Sequence, residues 1–187
     1  GEAAFIPYIT AGDPTLDRTA EIVLALERAG SDVIELGIPF SDPIADGIVN
    51  QEAAQRALIH NTSLRDVIGM VKSLRDKTEV PIILFTYCNP VLAYGLEAFA
   101  EDCAAAGVDG ALCVDLPPEE AIEYKKFMDA KNLATVFLVA PTTTPERMEI
   151  LAKSSSGFIY YVSRTGVTGE RSEMETSIQG MVSELKS

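Results

Sequence analysis

Apolar residues fall into two alternating regimes along the chain. Short, nearly continuous apolar runs predict buried strands at Phe5–Thr10, Asp32–Leu36, Pro81–Tyr87, Gly110–Asp115, Thr135–Ala140 and Gly157–Ser163. Between them, apolar residues return every three or four positions, as in Thr15–Ala29, where Ile22, Val23, Leu26 and Ala29 share one face. Similar runs predict helices at Gln51–His60, Ser63–Arg75, Leu96–Ala106, Glu119–Lys131 and Ile178–Lys186. A further helix is opened by Thr144 as its cap and Pro145 in its first position. A loop is predicted from Arg164 to about Ser172.

Strand followed by helix, repeated along the whole chain, predicts an α/β domain of parallel strands with right-handed crossovers. Ala29-Gly30-Ser31-Asp32 recurs as Ala106-Gly107-Val108-Asp109, each joining a helix to a strand, which suggests a repeated unit. No linker, low-complexity stretch or charge block separates a second domain, so 1–187 is read as one domain. The regular spacing breaks only between the second and third strands, where an extra loop and helix intrude. Insertions of that kind in compact α/β units are usually functional, and this one carries Asp42 and Asp46.

Polar residues collect at the strand ends: Thr10, Glu35, Tyr87, Asp115 and Ser163. In a doubly wound sheet or a β/α barrel that end is the ligand face. Short, evenly spaced strands and the lack of Gly-x-Gly-x-x-Gly after the first strand favour the barrel.

The run Glu35-Leu36-Gly37-Ile38-Pro39-Phe40-Ser41-Asp42-Pro43-Ile44-Ala45-Asp46-Gly47 is the chemical centre of this pattern. Val33, Glu35 and Gly37 alternate onto one strand face, Ile34 and Leu36 onto the other. A carboxylate inside an apolar strand is costly unless something uses or neutralises it. Two acids of different burial near one cleft is the arrangement that separates pKa values for acid–base work. The plainer alternative is a strand-end glutamate bonded to a neighbouring backbone. On this stretch alone the two readings stand level.

Composition narrows the classes. The chain is 47% hydrophobic with a net charge of −13, which argues against nucleic acid or an anionic membrane as partner. Mean hydropathy is +0.14, no apolar run approaches a membrane span, and no signal peptide is expected. Cys88, Cys103 and Cys113 are odd in number and lack metal spacing, so they are expected as reduced, packed thiols in a cytosol-type compartment. The single histidine, His60, follows a helical run and is read as a surface residue. It excludes a multi-histidine metal site and leaves a Ser-His-Asp triad nothing else to rest on. Carboxylates and tyrosines therefore remain as the main proton-transfer candidates.

Three segments then carry a family resemblance. Phe5-Ile6-Pro7-Tyr8-Ile9-Thr10-Ala11-Gly12-Asp13-Pro14 resembles the first-strand signature of the tryptophan synthase α subunits. Glu35–Gly47 resembles that family's second-strand and second-loop signature, and Ser163-Arg164-Thr165-Gly166-Val167-Thr168-Gly169 its sixth loop. The resemblance spans essentially all 187 residues but about the first two-thirds of a typical member. It implies a TIM (β/α)8 barrel represented here by about its first six βα units. The N-terminal helix under the barrel and the seventh and eighth strands are expected to be missing.

The resemblance further implies retro-aldol cleavage of indole-3-glycerol phosphate to indole and glyceraldehyde 3-phosphate, in tryptophan biosynthesis. It makes Glu35 the general acid and base and Asp46 the carboxylate that holds the indole N–H. Tyr160 would line the site beside the glycerol phosphate. Tyr8, Phe85 and Tyr87 would wall the indole pocket, with Thr10 beside them. Asp42 would lie at the contact with a β subunit, Arg164 and Thr168 would couple closure of loop six to loop two, and Gly169 would donate a backbone N–H to the phosphate. No metal or cofactor is implied for this chain. Pyridoxal phosphate would belong to the β subunit of an α2β2 heterotetramer, located in the cytoplasm or a plastid stroma.

Individually, each of these residues has a plainer reading: Tyr8, Phe85 and Tyr87 as barrel filling, Asp42 as a turn cap before Pro43, Arg164 as a solvated charge, Asp115 as a structural strand-end acid. The sequence also departs from the family pattern, with Ile48 where the family usually has proline and Asn50 where it has an apolar residue. The expected consequences are a looser loop two and a more polar indole pocket. Three alternatives remain open at this point: a stand-alone indole-3-glycerol-phosphate lyase, a folded but catalytically impaired fragment, and another phosphate-binding barrel such as an epimerase or isomerase. With Gly169 the one phosphate donor identified here, weak substrate binding is also expected.

Overall fold

The computed structural model describes residues 3–162. Elements alternate as the apolar pattern requires: β1 (Tyr8–Thr10), α1 (Leu16–Arg28), β2 (Ile34–Gly37), α2 (Ile48–Ile59), α3 (Leu64–Leu74), β3 (Ile82–Thr86), α4 (Cys88–Tyr94), α5 (Leu96–Ala106), β4 (Gly110–Cys113), α6 (Ile122–Ala130), β5 (Ala134–Val139), α7 (Pro145–Ser154) and β6 (Ile159–Tyr161). The predicted helix Ile178–Lys186 and the loop from Arg164 lie outside the described residues.

Local chemistry sets the boundaries. Thr15, Ser63 and Thr144 cap α1, α3 and α7 by accepting backbone N–H groups with their side chains. Ser63 and Asp66 do so reciprocally, as a capping box. Gly107 ends α5 at φ +79, a left-handed conformation that favours glycine. β1 is shorter than the predicted Phe5–Thr10 because Pro7 has no N–H to give the ladder, although its carbonyl still accepts from Glu35 at 2.9 Å.

The strands form one parallel sheet in the order β1-β2-β3-β4-β5-β6. Spatial order equals chain order, with no reversal. A doubly wound sheet requires a switch point where the order turns back, so the winding is that of a β/α barrel.

Register sorts the strand residues onto two faces. Tyr8, Glu35, Ile83 and Gly110 are successive partners, as are Thr10, Gly37, Phe85 and Leu112. The opposite face presents Ile34, Leu36, Ile82, Leu84, Ala111 and Phe137 to the helices, forming the main apolar core with α3, α5, α6 and α7. The first face is therefore the inner one. Its curvature is visible in the side chains. Phe85 on β3 and Tyr160 on β6 are three strands apart, roughly 14 Å in a flat sheet at the usual strand spacing. Their ring centroids are 6.0 Å apart.

At the opposite end of the strands, one latch recurs. The Asp32 N–H bonds Phe5 O at 2.9 Å, while its carboxylate accepts the Phe5 N–H at 2.7 Å. Asp109 does the same to Ile82, at 3.0 and 2.7 Å. Ser156 repeats it with its hydroxyl toward Thr135, at 2.9 and 3.0 Å. The latch thus fastens the start of β2 to β1, of β4 to β3 and of β6 to β5. The repeated Ala-Gly-x-Asp segments are two of these latches. Arg75 reinforces the second by donating to Gly107 O, Val80 O and the Asp109 carboxylate, each at 2.8 Å.

Candidate active site

Strands β1, β3 and β6 bring Tyr8, Phe85 and Tyr160 together on the inner face. Glu35 of β2 is buried beside them. The β2 backbone turns its side chain inward between Tyr8 and Ile83, and it is 3% exposed. No described residue donates a hydrogen bond to its carboxylate, so the plainer reading of a strand-end glutamate bonded to a backbone is not what the structure contains. Burial disfavours the charged form and pushes its pKa to about 7.

Tyr8 stands beside it. Its ring meets Phe85 edge-on at 5.3 Å, and its hydroxyl is 3.5 Å from Thr10 Oγ1. The ring lies directly over Gly37, where a Cβ would fall 2.0 Å from the Tyr8 hydroxyl. Any larger residue at 37 would evict the tyrosine. Burial, together with the charges of Asp46 and Glu35, raises the Tyr8 pKa to about 12, so the phenol keeps its proton. Tyr160 is raised too, first by burial and then by Glu35. Glu35, Tyr8 and Tyr160 therefore share one electrostatic environment, with Asp46 acting on it from the rim.

Asp46 lies half-buried in the loop between β2 and α2. Its Oδ2 accepts from the Tyr87 hydroxyl at 3.0 Å, and its backbone carbonyl accepts from Gln51 Nε2 at 2.9 Å. Burial raises the Asp46 pKa, and the Tyr87 bond opposes that rise. The Tyr87 hydroxyl also accepts the Ala45 N–H at 3.0 Å, and its ring packs on Phe40 at 5.2 Å. The Tyr87 hydroxyl is thus tied to the loop, in addition to the wall position expected for its ring. Asp42, on the same loop, is exposed and takes a hydrogen bond from its neighbour Ser41. Arg164, Thr168 and Gly169 lie outside the described residues.

Several contributors were not foreseen. Cys88–Tyr94 forms a short helix despite Asn89-Pro90. Pro90 falls in its first turn, where the missing N–H costs nothing. Asp115 Oδ1 accepts the Cys88 N–H at 2.6 Å and so holds the start of α4 from the neighbouring strand end, the plain structural reading of that acid. Helix α2 begins at Ile48, three residues before the expected Gln51, with Gly47 as its extended cap residue. Ile48 and Asn50 thus belong to the first helical turn. The residue where the family usually has proline is a first helical position, so its loss removes helix preorganisation rather than loosening a free loop. Arg56 on α2 forms a two-pronged bond to Asp13, at 2.9 and 2.8 Å, tying the loop after β1 to α2. The Ala45–Tyr87 and Arg56–Asp13 contacts are long-range, whereas Gln51 bonds Asp46 from only five residues away.

The arrangement offers one buried acid that exchanges protons near neutrality, one oriented carboxylate on the rim, and two protonated phenols between them. Among the described residues, no group of His, Cys, Asp and Glu side chains is placed to hold a metal, and no helix is long and apolar enough to cross a membrane.

Known proteins resemble this chain closely. The family described as "Tryptophan synthase alpha chain" matches residues 1–187. The tryptophan synthase alpha chain of Geobacter sp. (strain M21) is 51% identical over 186 residues, covering 100% of this chain and 70% of its own length. That of Synechococcus sp. (strain CC9902) is 52% identical, with 69% of its length covered. Among solved structures, one of the tryptophan synthase a2b2 complex of Pyrococcus furiosus superposes with a TM-score of 0.91 at 42% identity, covering 98% of this chain and 73% of that one. The alpha subunit of Legionella pneumophila str. Paris gives 0.83 at 45% identity, covering 86% and 62%.

Proposed function

The chain belongs to the tryptophan synthase alpha chain family, and from that membership and the pocket geometry we propose that it cleaves indole-3-glycerol phosphate to indole and glyceraldehyde 3-phosphate. The observation that carries the proposal is the buried Glu35, with its pKa near 7, facing the same pocket as the oriented Asp46. A group that titrates at the working pH both gives and takes protons with little penalty.

In this reading, Glu35 delivers its proton to indole C3. The ring then carries positive charge toward its nitrogen, and Asp46 accepts the indole N–H and stabilises that charge. Glu35, now a carboxylate, takes the proton of the glycerol hydroxyl next to the scissile bond. The electron pair left on that oxygen forms the aldehyde carbonyl as the C–C bond breaks, and indole leaves neutral. Tyr8, Phe85 and the ring of Tyr87 wall the indole with Thr10 beside them. Tyr160 lies by the glycerol phosphate, whose backbone donors include Gly169. Asp42, Arg164 and Thr168 couple loop closure to a β subunit carrying pyridoxal phosphate.

Release of indole from indole-3-glycerol phosphate, measured with and without a β subunit, tests the proposal. Glu35→Gln keeps the shape and removes the exchangeable proton, so the rate is expected to fall about 10²- to 10⁴-fold. Retention of more than a tenth of the activity would refute it.

A further inference from the structure

Tyr87 follows the last residue of β3 and is the cap residue of α4, so its backbone is held by two elements. It is 4% exposed. Its hydroxyl meets the β2–α2 loop twice, accepting from Ala45 N–H and donating to Asp46 Oδ2, both at 3.0 Å. A phenol has one hydrogen. With the Ala45 N–H directed at its oxygen, that hydrogen is free to go to Asp46, which then serves as pure acceptor. A protonated Asp46 pointing its own hydrogen at Tyr87 would leave the phenol with two donors and no acceptor. The chain of donors therefore runs one way, from Ala45 through Tyr87 to Asp46 Oδ2, and each bond polarises the next.

From this we infer that Tyr87 is the positioning residue for Asp46: it pins the β2–α2 loop to the end of β3 and occupies Oδ2, leaving Oδ1 to meet a ligand N–H. The inference rests on the proposed role of Asp46 and adds to it what holds that carboxylate in place. Oδ1 takes no hydrogen bond from a described residue. Gln51 holds the backbone of Asp46 from α2, so the side chain's direction depends on Tyr87. The titratable groups in the field of Asp46 are Tyr8 and Tyr87, both protonated phenols, and no described cation shifts its titration. Tyr87 is thus the hydroxyl that favours the charged form, against burial that disfavours it. Asp115 acts on Tyr87 only as a distant negative charge.

The test substitutes Tyr87→Phe, which keeps the ring against Phe40 and deletes the hydroxyl. Carbon-detected NMR of the Asp46 carboxyl gives its titration midpoint without any turnover. Loss of a hydrogen bond to a charged group is expected to raise that midpoint by about one pH unit. The rate of indole release is expected to fall about tenfold, mainly in kcat. In the pair with Asp46→Asn, Tyr87→Phe should add less than about twofold, because a residue acting through Asp46 has nothing further to lose. An unmoved Asp46 midpoint, or losses that multiply in the double variant, would overturn the inference. So would a shift of the Glu35 midpoint away from about 7, since Tyr87 would then be shaping the whole pocket. Failure of the proposed reaction itself has a separate signature: full activity in Glu35→Gln, with the Asp46 midpoint still responding to Tyr87.

Discussion

Replacing Glu35 by glutamine is expected to stabilise the fold at neutral and alkaline pH while abolishing its chemistry. The native side chain binds its proton more tightly than in the unfolded chain, with its pKa at about 7 against an ordinary value of 4.5. Below about pH 4.5 both states carry the proton, and Glu35 makes no pH-dependent contribution. Between those values the unfolded chain releases its proton first, so it binds fewer protons than the native state and stability falls as pH rises. Above about 7 the loss is complete. At 1.36 kcal/mol per unit, a shift of about 2.5 units corresponds to about 3 kcal/mol. Glutamine resembles the neutral acid at every pH. The gain from Glu35→Gln should therefore be near zero at pH 4.5, grow through pH 6, and level at about 3 kcal/mol by pH 8. Urea unfolding of both chains across that range measures it, since the difference cancels all other titrating groups. A gain that stays constant within about 0.5 kcal/mol over the range would mean that Glu35 is not desolvated as its place in β2 requires. It would also remove the reason for expecting a general acid poised near neutrality.

Other substitutions probe the same pocket and its scaffold. Asp46→Asn should lower turnover less than Glu35→Gln, because the amide oxygen still accepts the indole N–H while the charge is lost, and a charge-assisted bond is roughly twice as strong as a neutral one; steady-state indole release ranks the two. Gly37→Ala places a methyl where the Tyr8 hydroxyl lies, so an overpacking cost of about 1–3 kcal/mol and a raised KM are expected, checked by thermal unfolding and by a cycle with Tyr8→Ala, in which the stability cost should largely vanish. Asp109→Ala strands the N–H of the fully buried Ile82, an expected loss of about 1–3 kcal/mol; Asp32→Ala frees only the exposed Phe5 N–H and should cost distinctly less in the same denaturation assay.

The order of elements was legible in the sequence because it depends on local periodicity. Apolar runs with strand lengths, helical repeats and the cap at Thr144 are near-neighbour effects, and a chain carries them before it folds. The choice of barrel over doubly wound sheet was legible only as a preference. Strand order, which separates the two, is a property of long-range pairing. The inward direction of Glu35 followed from the period of two once β2 was placed. Its pKa near 7 did not, since desolvation depends on what Tyr8, Ile83 and the opposite wall at Tyr160 leave accessible. Short-range rules also missed α4, because Asn89-Pro90 looks like a break until Asp115, from the next strand, holds the helix start. The role of Tyr87 was the least visible. On its strand it is an aromatic like Tyr8 and Phe85, and only the tertiary structure brings Ala45 and Asp46, more than forty residues earlier, onto its hydroxyl. Residue type and spacing select which groups are capable of proton chemistry. The burial and hydrogen bonds that tune them exist only once distant strands and loops have met.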